Sequence, residues 1–120
     1  MNFEQIKKLL EISDDPATRL EMVMDIGKQL PHVPDSAECT EIQGCASFVQ
    51  ICRDGNRFYA NADSAVVRGI VAIIISMVDG KSPKQIREMD LENMFMGLKI
   101  NIGAARLNGL NSMIRFFKNL

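Results

Sequence analysis

At 120 residues the chain has the size of one domain, and with 47% hydrophobic residues it can bury a single core. Its 14 basic and 15 acidic residues leave a net charge of −1, and no basic run exceeds Lys7-Lys8, which argues against nucleic acid or an anionic membrane surface as partner. The longest apolar stretch, Ile70 to Val78, is far short of the roughly 20 residues that span a bilayer.

Residues 3–11 place Phe3, Ile6, Leu9 and Leu10 at helical spacing, with Asn2 as N-cap. The amino terminus is amphipathic from its start and lacks a signal-peptide pattern, so a soluble cytoplasmic protein is expected. Asp15-Pro16 opens a second helix with a capping aspartate and a first-position proline. Its buried stripe takes in Leu20, Val23, Met24 and Gly27, and Pro31 and Pro34 end it.

After Cys45 the hydrophobic period becomes two. Asp54-Gly55 reads as a two-residue hairpin turn. Pairing outward from it sets Cys52 opposite Arg57, Ile51 opposite Phe58, Gln50 opposite Tyr59 and Val49 opposite Ala60. Val49, Ile51, Phe58 and Ala60 then form the core face. Two strands alone are marginal, so a third short strand is expected just before Gly44.

Ser64 to Val78 is rich in β-branched residues but has the length and ends of a helix. Asp63 or Ser64 can cap it and Gly80 can end it. Being apolar nearly all round, it is expected to be the buried central helix. Ser82-Pro83 with Gln85 signals a short helix with a capping box, and Asp90 caps another through Met96. A last helix over Ala104 to Lys118 is expected to bury Leu107, Leu110, Ile114 and Phe117 and to expose Asn108, Ser112 and Arg115. The order predicts an α+β fold in which a small antiparallel sheet of about three strands packs against several helices, over residues 1–120 as a single domain.

Chemistry points to Gly44-Cys45. Gly44 permits a sharp turn that presents the next side chain at a loop tip. A free cysteine is otherwise a small buried hydrophobe. Three cysteines, Cys39, Cys45 and Cys52, argue against a disulfide framework in a chain without secretory features. Their spacing is not a paired zinc-ligand pattern. Cys39 is a candidate resolving thiol or ligand, and Cys52 falls on the less apolar sheet face. Arg106, near the start of the last helix, is either a solvated charge or a guanidinium that favours a nearby thiolate. His32 is the one imidazole, but a cysteine–histidine hydrolase also needs an orienting group and an oxyanion hole, and the sequence offers neither.

Four segments in order resemble a known family. Ile42-Gln43-Gly44-Cys45-Ala46-Ser47-Phe48-Val49 resembles the Gly-Cys-X-Ser-X-Val signature of SufE-type sulfur acceptors. Gly27-Lys28-Gln29-Leu30-Pro31 resembles the family's early helix end. Ala62-Asp63-Ser64 with Val66-Val67-Arg68-Gly69 resembles its entry to the central helix. Arg106-Leu107-Asn108-Gly109-Leu110 resembles its Arg-X-X-Gly-Leu segment. The resemblance covers roughly residues 15 to 118, nearly a full domain by size. The family's pattern has tryptophan at Gln50, glutamine at Ala46 and Phe48, and often histidine at Asn101; these departures bear on partner docking.

The resemblance implies a fold like that of the iron–sulfur scaffold IscU. It implies a persulfide relay, not an enzyme: sulfur from a PLP-dependent cysteine desulfurase of SufS or CsdA type is taken onto Cys45 and passed to an iron–sulfur scaffold or another acceptor. The desulfurase is stimulated in the process. Arg106 would support the sulfur, Gly44 would turn the loop, and Asp63 would serve the loop or the partner. The PLP belongs to the partner, so no cofactor is expected, and the chain would be a monomer or weak homodimer. A hydrophobic pocket of Val49, Leu107 and Leu110 would shelter the persulfide, and docking would swing the loop outward. The alternative is a scaffold that binds an iron–sulfur cluster or zinc through Cys39, Cys45 and Cys52, with or without His32.

Overall fold

A computed structural model describes all residues, Met1–Leu120. The elements run α1 (Phe3–Leu10), α2 (Pro16–Gly27), β1 (Glu38–Glu41), β2 (Val49–Asp54), β3 (Arg57–Ala62), α3 (Ala65–Val78), α4 (Pro83–Arg87), α5 (Leu91–Met96) and α6 (Ala104–Lys118). The fold is α+β: an antiparallel sheet in the order β1-β2-β3, with the helices on one face. No helix is long and apolar enough to cross a membrane.

The helix starts follow the capping residues. Asn2 with Gln5, and Ser82 with Gln85, close reciprocal capping boxes. Asp15 accepts from the Thr18 backbone N–H, Asp90 from that of Asn93, and Ser64 (not Asp63) from that of Val67. The Thr18 hydroxyl and backbone N–H both donate to Asp15 and pull its pKa down.

Of the 14 residues of α3, 11 are buried, which explains why helix wins over β-branched strand propensity. A helix apolar on every side is stabilised by packing all round it, and that outweighs the few tenths of a kcal/mol each β-branched residue costs. α2 crosses α3 with backbone against backbone. A Cβ added at Gly69 would lie 2.1 Å from the Val23 carbonyl oxygen, and one at Gly27 would lie 2.6 Å from the Gly69 nitrogen. The stripe of α2 that makes this contact buries Val23, Ile26 and Gly27, with Leu20 and Met24 only half-buried.

The hairpin departs from the expected register. Asp54 pairs with Arg57, Cys52 with Tyr59, Ile51 with Ala60 and Val49 with Ala62. The turn residues are therefore Gly55-Asn56, with the positive φ of +61° falling on Gly55, as a II′-type turn requires. The slip is two residues, so every side chain keeps its face and the core face is still Val49, Ile51, Phe58 and Ala60. Asp79, just past α3, accepts from the Phe58 N–H at 3.1 Å and from Arg57 Nη1 at 2.9 Å, which fixes the hairpin end to the central helix. Phe58 meets Phe117 of α6 edge to face at 5.2 Å.

The expectation of no disulfide is overturned. Cys39 of β1 lies opposite Cys52 of β2, and the two are bonded, 13 residues apart in sequence and with Cα atoms 4.0 Å apart. Ile42 donates to Val49 O at 2.8 Å, which makes Cys39–Cys52 a non-hydrogen-bonded pair, the narrower spacing of an antiparallel ladder. All four residues of β1 are exposed, so little apolar burial holds this edge strand. By strand alternation the disulfide lies on the sheet face turned away from the helices.

Two outcomes follow. Gly69→Ala is expected to destabilise the protein by about 3 kcal/mol or more, because two backbones have to separate; thermal or urea unfolding measures it. Thiol titration of the unreduced, denatured chain is expected to find one thiol, rising to three after reduction. Cys39→Ser with Cys52→Ser should cost about 3 kcal/mol, the chain-entropy value for a loop of this size.

Candidate functional site

Cys45 is the one free cysteine, and it does not stand at an open loop tip. It is half-buried against α6. A Cβ added at Gly109 would lie 3.0 Å from Cys45 Sγ and 3.5 Å from its Cβ, so the missing side chain of Gly109 is the notch that receives the thiol. A glycine inside a helix costs about 1 kcal/mol relative to alanine. That cost was the sequence signal for a close approach here.

Gly44 sits one step along the same helix. Its φ is +87°, and a Cβ there would lie 2.8 Å from Ser112 Oγ and 3.3 Å from Asn108 Nδ2. Any other residue at 44 would be strained in the backbone and crowded in space. Asn108 Nδ2 donates to Gly44 O at 3.1 Å. Ser112, expected to be exposed, is half-covered by this seat, while Asn108 is exposed as expected.

Cys45 opens onto a cavity of about 210 Å³ lined by Ala46, Ser47, Ser64, Val67, Ile70, Ala105, Arg106, Gly109 and Met113. The apolar wall comes from α3 and from Met113. It does not come from Val49, Leu107 and Leu110 as expected. Val49 is fully buried in the sheet core, and Leu107 is 43% exposed. The buried arc of α6 runs through Gly109, Leu110, Met113 and Phe117, with Ile114 half-buried. At about 100° per residue Leu107 falls outside that arc.

Arg106 lines the same cavity as Cys45, so two distant motifs converge. Its Nη1 donates to Ile102 O at 2.9 Å. The resting thiol is not lowered by this cation: burial pushes the Cys45 pKa up. At neutral pH the sheltered sulfur is therefore a protonated thiol. The guanidinium stands at the cavity wall, where it can meet an anionic sulfur once one forms.

Asp63 is not in this cavity. It is exposed and lines a neighbouring polar cavity of about 520 Å³ with Lys28, His32, Asn61 and Arg68. Its backbone N–H donates to Phe48 O at 3.2 Å, which pins the far end of the Cys45 loop. His32 sits in that second cavity, and no histidine or carboxylate lines the Cys45 cavity, so a cysteine hydrolase would lack a base there. The scaffold alternative fails on geometry. Cys39 and Cys52 are bonded to each other on the outer sheet face, and Cys45 faces the helices. No three His, Cys, Asp or Glu side chains converge into a metal-binding group. Two of the four departures from the family's pattern have local roles: Gln50 Oε1 accepts from Asn61 Nδ2, and Asn101 Oδ1 accepts from the Gly103 N–H at the entry to α6.

Comparison with known proteins adds to this geometry. A sequence profile described as "SufE: Fe-S metabolism associated domain" matches residues 4–120. A SufE-like protein of Rhizobium meliloti is 32% identical over 130 residues, covering 98% of this chain and 93% of the relative. The sulfur acceptor protein CsdE of Escherichia coli is 31% identical over 97 residues, covering 73% of this chain and 66% of CsdE. A solution structure of a hypothetical protein from Thermus thermophilus shares the fold with a TM-score of 0.75 at 18% identity, covering 98% of this chain and 90% of that one.

Gly109→Ala tests the seat. The added Cβ gains helix propensity yet crowds Cys45 Sγ. The helix should persist by circular dichroism, while alkylation of Cys45 by a small neutral reagent speeds up about fivefold, the ratio that a seat weakened by about 1 kcal/mol gives.

Proposed function

This chain belongs to the SufE family, and from that premise we propose that it is a sulfur acceptor in iron–sulfur metabolism with Cys45 as the accepting residue. The observation that carries the reading is the seat of Cys45: a lone free thiol, half-buried in a fitted notch, beside a small cavity walled by Val67, Ile70 and Met113 and edged by Arg106.

The chemistry is thiol–persulfide exchange. The Cys45 thiolate attacks the outer sulfur of a persulfide on the partner, a new S–S bond forms at Cys45, and the partner's thiolate leaves. The transferred sulfur keeps its own proton or charge, and no net oxidation occurs. The donor in this reading is a PLP-dependent cysteine desulfurase of SufS or CsdA type, stimulated when its persulfide is cleared. The PLP stays in that enzyme, so this chain contributes a carrier cysteine and no cofactor. The recipient is an iron–sulfur scaffold or another acceptor.

The resting geometry suits storage, not attack. Burial keeps the thiol protonated, and the added sulfur of a persulfide would extend into the apolar cavity, away from reductants. Exchange needs the loop to swing out, which returns water to the sulfur and restores thiolate. Asp63, with Lys28, His32 and Arg68 around it, is the charged surface beside the loop and is assigned to partner contact. We read residues 1–120 as one SufE-like domain that works in the cytoplasm as a monomer or weak homodimer. In a reducing compartment such a bond is subject to reduction by small thiols, with Cys39 on the exposed edge strand and Cys52 buried. Neither Cys39 nor Cys52 takes part in the transfer, so the scheme is the same with that bond open or closed.

Incubation with a desulfurase and cysteine, followed by intact mass measurement without reductant, tests the proposal. A gain of about 32 Da in the wild type, absent in Cys45→Ser, is the outcome expected from exchange. Sulfur uptake undiminished in Cys45→Ser overturns it.

A further inference from the structure

The loop that carries Cys45 is fastened unevenly. At one end Ile42 N–H donates to Val49 O at 2.8 Å, and at the other Asp63 N–H donates to Phe48 O at 3.2 Å. Between these backbone anchors, the only hydrogen bond tying residues 43–47 to the helices is Asn108 Nδ2 to Gly44 O, at 3.1 Å. Asn108 lies on the exposed side of α6 and adds nothing to the core. Its amide ends directly over Gly44, and the next turn of the helix offers Ser112 as the floor under Gly44. The Ser112 hydroxyl is itself engaged with Asn108 O at 3.0 Å, which leaves the Asn108 amide as the donor to the loop.

We infer that Asn108 is a positioning residue: it latches the Gly44-Cys45 loop in its sheltered pose, and release of this one amide sets how often Cys45 is presented. The inference rests on the proposed role of Cys45 for its meaning but not for its measurement. With both loop ends pinned by backbone hydrogen bonds, opening is a local swing of residues 43–47 about Gly44 and disturbs neither the sheet nor α6. A single neutral, solvent-exposed hydrogen bond holds such a loop only loosely, so the open pose is a minor but accessible population. A docking surface that supplies its own donor to Gly44 O would take over the bond and draw the loop outward.

The test uses the isolated protein. Asn108→Ala should speed alkylation of Cys45 by iodoacetamide about three- to tenfold, the ratio that loss of one such hydrogen bond gives. The pH midpoint of that reaction should fall toward an ordinary thiol, because the opened sulfur regains water. The melting temperature should stay within roughly 2 °C, since Asn108 is exposed. Asn108→Gln, which keeps the amide on a longer stem, should give a rate nearer the wild type than Asn108→Ala does. With a desulfurase, Asn108→Ala should lower KM for the acceptor and leave kcat in place, because a larger fraction is competent to dock. An alkylation rate within twofold of wild type and an unshifted pH midpoint in Asn108→Ala overturn the latch. Faster alkylation with no sulfur uptake by either protein upholds the latch and overturns the sulfur-acceptor reading.

Discussion

The site depends on the close crossing of α2 and α3. Gly69 and Gly27 let the two backbones touch, which sets the depth of α3 in the molecule. Everything else packs around that depth. β3 lies along one side of α3, α5 and α6 close another, and the N-terminal end of α3, with its cap Ser64 and the core residues Val67 and Ile70, lines the cavity beside Cys45. One helix is thus the centre of the core and a wall of the reactive cavity. A shift of its axis that would merely loosen packing elsewhere would also change the space beside the sulfur.

The second constraint is the row of small positions on α6. Gly109 receives Cys45, and Asn108 and Ser112 receive Gly44. Helix propensity alone would fill position 109 with alanine, and a bulky residue there would leave the loop no place to lie. A polar loop packed on a helix by two small notches and one amide is held much less firmly than a strand in the sheet. That difference in firmness allows a thiol to be covered at rest and still be reachable.

Much of this was legible in the chain. The caps at Asn2, Asp15, Ser64, Ser82 and Asp90 mark where helices begin because side-chain acceptors satisfy orphan N–H groups at fixed offsets, a purely local rule. The central helix was legible from its length and ends, and the convergence of Cys45 with Arg106 from the resemblance of their motifs. What escaped depended on tertiary context. The disulfide requires the register of β1 against β2, and β1 reads Glu-Cys-Thr-Glu, with no apolar alternation to announce it. The hairpin slipped by two because glycine can occupy the first turn position as well as the second, and both choices keep the same faces. Leu107 reads as buried because it is apolar, but the buried arc of α6 is set by the elements that pack on it, α3, α4, α5 and the Cys45 loop. The resting thiol pKa is pushed up by burial, which depends on how the loop packs against α6 and not on the local sequence.

The cross-strand bond between Cys39 and Cys52 bears on how the molecule would keep a charge of sulfur in the proposed role. A chain with several free thiols can short-circuit itself, since a neighbouring thiolate at high local concentration attacks the persulfide and expels hydrosulfide. Here two of the three cysteines are spent on each other, on the far face of the sheet. Cys45 is left with no partner inside its own chain. In the proposed role, sulfur placed on Cys45 has no internal drain while that bond is closed, and every route of discharge then passes through another molecule.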